Sequence, residues 1–362
     1  MMANRSVAIV HLGRAGGLGT HRRVESLTAL FEAVGGCVTS FALRADYPAH
    51  LTDALRPGIV PLLAGRAVPE TLSWSRRDVL QALHELAPEV VVCVTARAYR
   101  PDLERGPWTF VLDFVDRLSD SYRDRARILG RTGRAAGYRV LAHTAARQER
   151  GRPRSIMAIA AGWRDSHALD ASWIPITVDT PATLDPVTGE FDVGFFGTLS
   201  YEPNIEALRR CATIWPLVRV QRPDARMLVA GATPTPEVEQ LARDGEWTLR
   251  ADVPNMGAAL RTTRVAVAPL AHASGLQIKV LDAAAFGVAQ VVDPVALGGF
   301  VPGFPAATAS DDRGFARTII ELLEDPTARE ALAARARVLV ASDYAVERWS
   351  PWAGDMLDQG AT

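Results

Sequence analysis

The chain has 362 residues, 48% of them hydrophobic and 22% charged, with a formal net charge of −1. That length exceeds one comfortable core and predicts two domains of about 150 to 180 residues each. The composition excludes a disordered chain, and the near-zero charge provides no global attraction to nucleic acid.

In chain order, "VAIVHL" reads as a strand that runs into four closely spaced glycines, Gly13, Gly16, Gly17 and Gly19. "RRVESLTALFEAV" follows with apolar residues at helical spacing (Val24, Leu27, Leu30, Phe31, Val34), is stopped by Gly35-Gly36, and leads to the strand "CVTSFAL". A helix over "SRRDVLQALHEL", a strand "EVVVCVTA" and a buried strand "TFVLDFV" continue the alternation. Strands separated by helices predict a parallel, doubly wound sheet. Residues 117–154 carry eleven arginines against Asp120, Asp124 and Glu149 and read as helical. "SIMAIA" and "SWIPI" are short extended pieces, and "TVDTPATLDPVTGE" is a connector. The pattern then restarts, with strands "DVGFFG", "RMLVAG", "WTLRADV", "VAVAPL" and "AQVVD" alternating with helices up to a last one around "VERWSPWAGDML". The expected division is residues 1–180, 181–342 and a final helix, 343–362.

Three scattered cysteines, Cys37, Cys93 and Cys211, predict reduced core thiols. The amino terminus enters a strand without a basic start or a long apolar stretch, so a cytoplasmic location is expected. No uncharged apolar run approaches the ~20 residues of a membrane span.

The opening glycines miss the G-x-G-x-x-G dinucleotide spacing, and no G-K-[ST] marks a Walker loop. A glycine-rich turn at a helix start still offers free N–H groups to an anion, and a ligand-free tight turn is its other reading. The second half is more specific. "GTLSYEPN" supplies Gly197, Leu199, Tyr201, Pro203 and Asn204, followed by "RPDA" and "VAG", and then by "VAVAPLAHASGLQIKVLDAAAFGVAQVV". On these motifs the chain resembles glycosyltransferase family 4, and in particular its bacterial members at exopolysaccharide and exosortase loci. The likeness is strongest over 193–292, and "VLDFVDRLSDSYRDRA" is similar to a first-half element of the family. The resemblance implies an α/β fold of the GT-B type, with two Rossmann-like doubly wound domains facing a cleft and the final helix, 343–362, crossing back to the first domain.

Within this frame the helix expected from Ile278 presents its amino end to a diphosphate, with Lys279 in its first turn. Lys279 is the single lysine among 40 basic residues, and a compact ammonium is not interchangeable with a guanidinium. Gly197, Ser274, Gly275, Leu276, Gln277 and Val253 join it as donor-binding candidates, and Gly16 and Gly17 are expected to let backbone approach the donor phosphates. Asp282 stands where the family has a ribose-binding glutamate. Ser274 replaces the family's first glutamate, and further cations expected near the phosphates are Arg14, Arg22 or Arg23, and Arg264. Lys279, Asp116 and Asp113 are the catalytic candidates, the two aspartates as acceptor-binding groups or bases, with capping and turn chemistry as their other reading.

The resemblance thus implies transfer of glucose or N-acetylglucosamine from a UDP-sugar to a hydroxyl or amine, with retention, no metal and no cofactor beyond the co-substrate. The expected acceptor is a small molecule, a glycan or a carrier-protein-bound group; nucleic acid is not an expected partner. The arginines of 117–154 read as a solvated face, a contact for an anionic membrane or acidic protein, or a seat for a phosphorylated acceptor. Rival readings are a nucleotide-sugar epimerase of the same fold and a catalytically silent partner subunit.

Overall fold

The computed structural model of the protein describes residues 5–12, 17–43, 77–184 and 186–360. It forms two compact units, Met1–Thr177 with Val346–Thr362, and Val178–Ala345. Unit 1 is built on β1 (Ser6–His11), β2 (Cys37–Ala42), β3 (Val90–Val94), β4 (Thr109–Asp113), β5 (Met157–Ala160) and β6 (Ser172–Trp173), in the order β2-β1-β3-β4-β5-β6. Every pairing is parallel. The central strand β3, "VVVCV", is buried at all five positions, as a strand covered by helices on both faces must be.

The helices of unit 1 are α1 (Gly17–Glu32), α2 (Arg77–Leu86), α3 (Leu118–Ile128), α4 (Gly133–Gly151) and α5 (Trp163–Leu169). The arginine-rich stretch is therefore not one continuous helix. It breaks at 129–132, and Thr132 caps α4 by accepting from the N–H of Ala135. Cys93 and Cys211 are buried as expected, but Cys37 is exposed at the start of the edge strand β2 and is no core thiol.

Unit 2 repeats the plan with β7 (Phe191–Phe196), β8 (Met227–Gly231), β9 (Thr248–Ala251), β10 (Thr263–Ala268), β11 (Ala289–Val292) and a two-residue β12 (Ala307–Thr308) that the sequence pattern did not reveal. Their order is β12-β11-β10-β7-β8-β9, again all parallel. The helices are α6 (Glu202–Gln221), α7 (Pro236–Asp244), α8 (Met256–Arg261), α9 (Ile278–Ala285), α10 (Asp312–Glu324) and α11 (Pro326–Asp343).

The last helix, α12 (Val346–Gly360), belongs to unit 1. Its Ala353, Met356 and Leu357 share a core cluster with Leu27, Leu30 and Phe31 of α1 and with β1 and β3. The rings of Phe31 and Trp352 lie 5.7 Å apart.

The winding reverses after the second strand of unit 1, between β1 and β3, and after the third strand of unit 2, between β7 and β10. Open α/β sheets hold ligands outside the carboxyl ends of the strands at such a switch point. Among the described residues no helix is long and apolar enough to cross a membrane.

Candidate functional site

The switch point of unit 2 gathers most of the predicted donor residues. Gly197 follows β7 at φ +147°, a backbone region open to glycine. A side chain there would meet Asn204 Nδ2 at 2.8 Å and Lys279 Nζ at 3.2 Å. Gly231, at the end of β8, packs so closely that a Cβ would overlap the carbonyl oxygen of Gly197. Backbone and hydroxyl bonds then lace the three strand ends. Leu199 N donates to Ala232 O at 2.8 Å, Ser200 and Thr233 hydroxyls meet at 2.8 Å, and Thr233 N donates to Asp252 Oδ1 at 3.1 Å.

Across the switch point, Gly275 takes φ +66° and turns the chain into α9. Gly299 lies against Gly275 and Leu276, where a Cβ would strike backbone. Leu276 is buried. Gln277 is the N-cap residue, yet its amide donates to Ser274 O at 2.9 Å and makes no cap to the helix. The amino end of α9 thus lacks a side-chain cap, which leaves its positive end available to an anion.

Lys279 does not lie on a solvated face. Its Nζ donates to Asn204 Oδ1 at 2.5 Å and sits 4.3 Å from the centroid of the Phe195 ring. Asn204 in turn donates from Nδ2 to Thr198 O at 2.8 Å, so one amide couples the lysine to the loop after β7. The residue as a whole is half-buried, but its ammonium is at the enclosed end, and that desolvation pushes the pKa down to about 7. Asp282 follows one turn later, half-buried, on the same helix. Val253, after β9, packs with Met256 and Phe286 against the core cluster that contains Ala283 of α9. Phe195 was not singled out from sequence, and Asn204 was named there as a motif residue without a role in the site.

Other predicted cations are committed elsewhere. Arg264 lies near the start of β10, at the opposite edge of the sheet, and pairs with Asp192. Arg23 is fully buried in unit 1. Its Nε donates to Asp113 Oδ2 at 2.7 Å, its Nη2 to Oδ1 at 3.3 Å and its Nη1 to Pro175 O at 2.8 Å.

The same pair corrects the reading of Asp113. With both side chains at 0% exposure, Asp113 is closed to an acceptor. It positions the ends of two strands instead. Its carbonyl accepts from Thr95 N at 2.7 Å, and its carboxylate accepts from Val115 N at 3.0 Å. Thr95 (φ +75°) and Val115 (φ +63°) are β-branched residues in the left-handed region, where backbone strain marks a constrained strand end.

Asp116 is half-buried just beyond Val115. A further carboxyl belongs with it: Asp165, at the amino end of α5, is buried and its pKa is pushed up to about 7. Burial is the main cause, and the negative charges of Asp116 and Asp120 add to it against Arg164 and Arg117. Asp165 was missed in the sequence, where "GWRD" shows only a polar turn. Gly17 opens α1. Gly16 and Arg14 lie outside the described residues, and Arg22 is half-buried on α1.

A hollow of about 680 Å³ beside β11 and β12 is lined by two arginines, Arg210 and Arg313, against three carboxylates, Asp293, Asp311 and Asp312. It does not suit a diphosphate. Arg210 is already held by Asp293 and Asp312 at 2.9 Å each and by Ser310 O at 2.6 Å, and the carboxylates repel anions. Among the described residues no cluster of His, Cys, Asp and Glu is arranged to hold a metal ion.

Residues 190–325 match the family model described as Glycosyl transferases group 1. No curated protein matches the chain. Among solved structures, the chain is similar to a glycosyltransferase from Rickettsia africae, at 9% identity and a TM-score of 0.65 over 99% of each chain. The fold is GT-B. It is also similar to Anabaena HepE, solved with UDP and glucose, at 12% identity and a TM-score of 0.62 over 98% of this chain and 100% of HepE. A variant of S. aureus TarM, solved with fondaparinux, alpha-GlcNAc-glycerol and UDP, matches at 11% identity and a TM-score of 0.57; the likeness covers 81% of this chain but 59% of TarM, less than two thirds of its length.

Proposed function

We propose that the protein is a glycosyltransferase that moves glucose or N-acetylglucosamine from a UDP-sugar to a hydroxyl or amine. The observation that carries this reading is the single lysine of the chain, held by Asn204 and Phe195 beside Gly197 at the uncapped amino end of α9. The match of residues 190–325 and the GT-B fold support it, as do the UDP complexes of HepE and TarM.

In this reading the N–H groups of α9 and the Lys279 ammonium hold the diphosphate and stabilise charge as it leaves with UDP. Asp282 accepts hydrogen bonds from the ribose hydroxyls. Gly197 and Gly231 keep the backbone low where the phosphates approach. Ser274, Gly275, Leu276 and Gln277 shape the turn beside the sugar, and Val253 flanks the base. The reaction is retaining and metal-independent, with the donor phosphate helping to take the acceptor's proton. Unit 1 receives the acceptor, a small molecule, a glycan or a carrier-protein-bound group. Its candidate contact is Asp116, since Asp113 serves as a buried anchor.

The test is a thermal-shift series with UDP, GDP, dTDP, ADP and UDP-sugars on wild type and Lys279→Ala. A ligand that binds only the folded state must raise the transition temperature. The expected result is a rise with uridine ligands that Lys279→Ala loses. A flat response to every nucleotide at millimolar concentration would overturn the donor site and favour a silent partner subunit. A nucleotide sugar converted without any acceptor would favour an epimerase.

A further inference from the structure

The eleven arginines of residues 117–154 give that segment a net charge of +8, and the fold divides them unequally between two helices. Those of α3 are half balanced by its own two acids, Asp120 and Asp124. Arg117 and Arg123 share Asp120, and Arg127 pairs with Asp124 at 2.9 Å. Arg125 donates to the Tyr138 hydroxyl at 3.2 Å and lies over its ring. Helix α4 has one acid, Glu149, and it is turned inward. Its two oxygens accept from Ser119 N at 2.9 Å and Ser119 Oγ at 2.7 Å, which pins α4 onto α3.

The outward side of α4 is consequently cationic without relief. Arg139, His143, Arg147 and Arg150 are all exposed and recur every three or four residues, so they form one stripe along the helix. Exposed Arg131 and Arg134 precede the stripe and exposed Arg154 follows it. A helix of 19 residues is about 28 Å long. Beside the stripe stands Val140, 66% exposed.

We propose that this face of α4 docks the protein on the anionic surface of a lipid bilayer. An exposed helix face offers no groove to a folded acidic protein, whereas a plane of phosphate headgroups meets the whole row at once. Guanidinium groups bind phosphate oxygens in pairs. Val140 gains nothing from a soluble polyanion, but at a bilayer it reaches the apolar boundary beneath the headgroups. The stripe itself holds no Phe, Tyr or Trp on which a run of nucleic-acid bases would stack. The inference stands apart from the donor-site reading.

The test is co-sedimentation of the full chain with vesicles of phosphatidylcholine alone and with phosphatidylglycerol added, across a salt series. Each arginine at an anionic surface is worth about five-fold in partitioning. Binding is expected to require the anionic lipid and to weaken with salt. The triple variant Arg139→Gln, Arg147→Gln, Arg150→Gln is expected to bind on the order of a hundred-fold more weakly. Its circular dichroism and its thermal transition should match wild type, since all three side chains are exposed. Failure to bind anionic vesicles at low salt would overturn the proposal. So would full binding by the triple variant, or retention on heparin without any binding to vesicles, which would assign the face to a soluble polyanion.

Discussion

At the scale of single residues, Lys279 and Asp165 are both displaced to a pKa of about 7, and each makes a prediction. The Lys279 pKa falls from 10.5 to about 7 because its ammonium is desolvated against Phe195 and Asn204. A diphosphate placed beside it favours the charged form, so ligand binding should draw a proton onto the lysine between about pH 7 and 10. Calorimetry of UDP binding at pH 8 in buffers of different ionisation enthalpy is expected to show proton uptake. The affinity should decline by up to about ten-fold for each step of one in pH above 7, and Lys279→Met should abolish both effects. Binding without uptake would place the phosphates away from Lys279. Asp165 is displaced the other way, from 3.8 to about 7. The folded state then keeps a proton that the unfolded chain has released, so this group's contribution is greatest below pH 4 and is lost as pH rises through 7. Asp165→Asn preserves the neutral shape. It is expected to leave the transition temperature unchanged near pH 4 and to raise it at pH 8, with a gain of about 1.4 kcal/mol for every ten-fold by which folding tightens the carboxyl's hold on its proton. Equal stability of variant and wild type at both pH values would show that the carboxyl ionises normally.

At the scale of elements, the ends of β7 and β8 depend on Gly197 and Gly231, which let the chain pack closely. Gly231→Ala places a methyl group on the Gly197 carbonyl, and neither partner is a flexible side-chain end that could swing aside. The expected cost is about 1–3 kcal/mol of stability together with weaker UDP binding, read by denaturant unfolding and titration. A neutral result would mean that the loop after β7 is free to move. The elements themselves were largely legible. Parallel strands buried on both faces appear as unbroken apolar runs, as in "VVVCV", and helices keep their 3.6-residue period. The two-residue β12 was not, because so short an edge strand carries no periodicity. In the site, α9 was legible as far as its start at Ile278 and the chemistry of Lys279. The partners were hidden by distance along the chain: Asn204 is 75 residues from Lys279, and Arg23 is 90 from Asp113. No local pattern announces such a pair. The buried Arg23–Asp113 contact therefore looked like an available cation and an available base, when burial makes each the other's counter-ion. Asp165 was silent for a similar reason, since its raised pKa arises from tertiary burial and not from its neighbours in sequence.

At the scale of the whole molecule, the chain leaves unit 1 after Thr177 and returns to it at Val346, so the first unit's core is completed only by the last residues of the sequence. Ala353 and Leu357 are fully buried and Met356 nearly so, with Trp349 and Trp352 packed against the same cluster. Full burial of one large apolar side chain is worth about 1.5–3 kcal/mol. Loss of the whole helix therefore removes an amount comparable to the roughly 5–15 kcal/mol that a domain typically possesses. By contrast, the six strands of unit 2 and the residues around Lys279 all lie within Val178–Ala345. Deletion of residues 346–360 is accordingly expected to unfold unit 1 while unit 2 stays folded. Differential scanning calorimetry of the truncated chain should show one remaining transition, and UDP should still raise its temperature. Complete loss of structure would mean that unit 2 cannot stand without its partner, and a retained transition that ignores UDP would move the donor site away from Lys279.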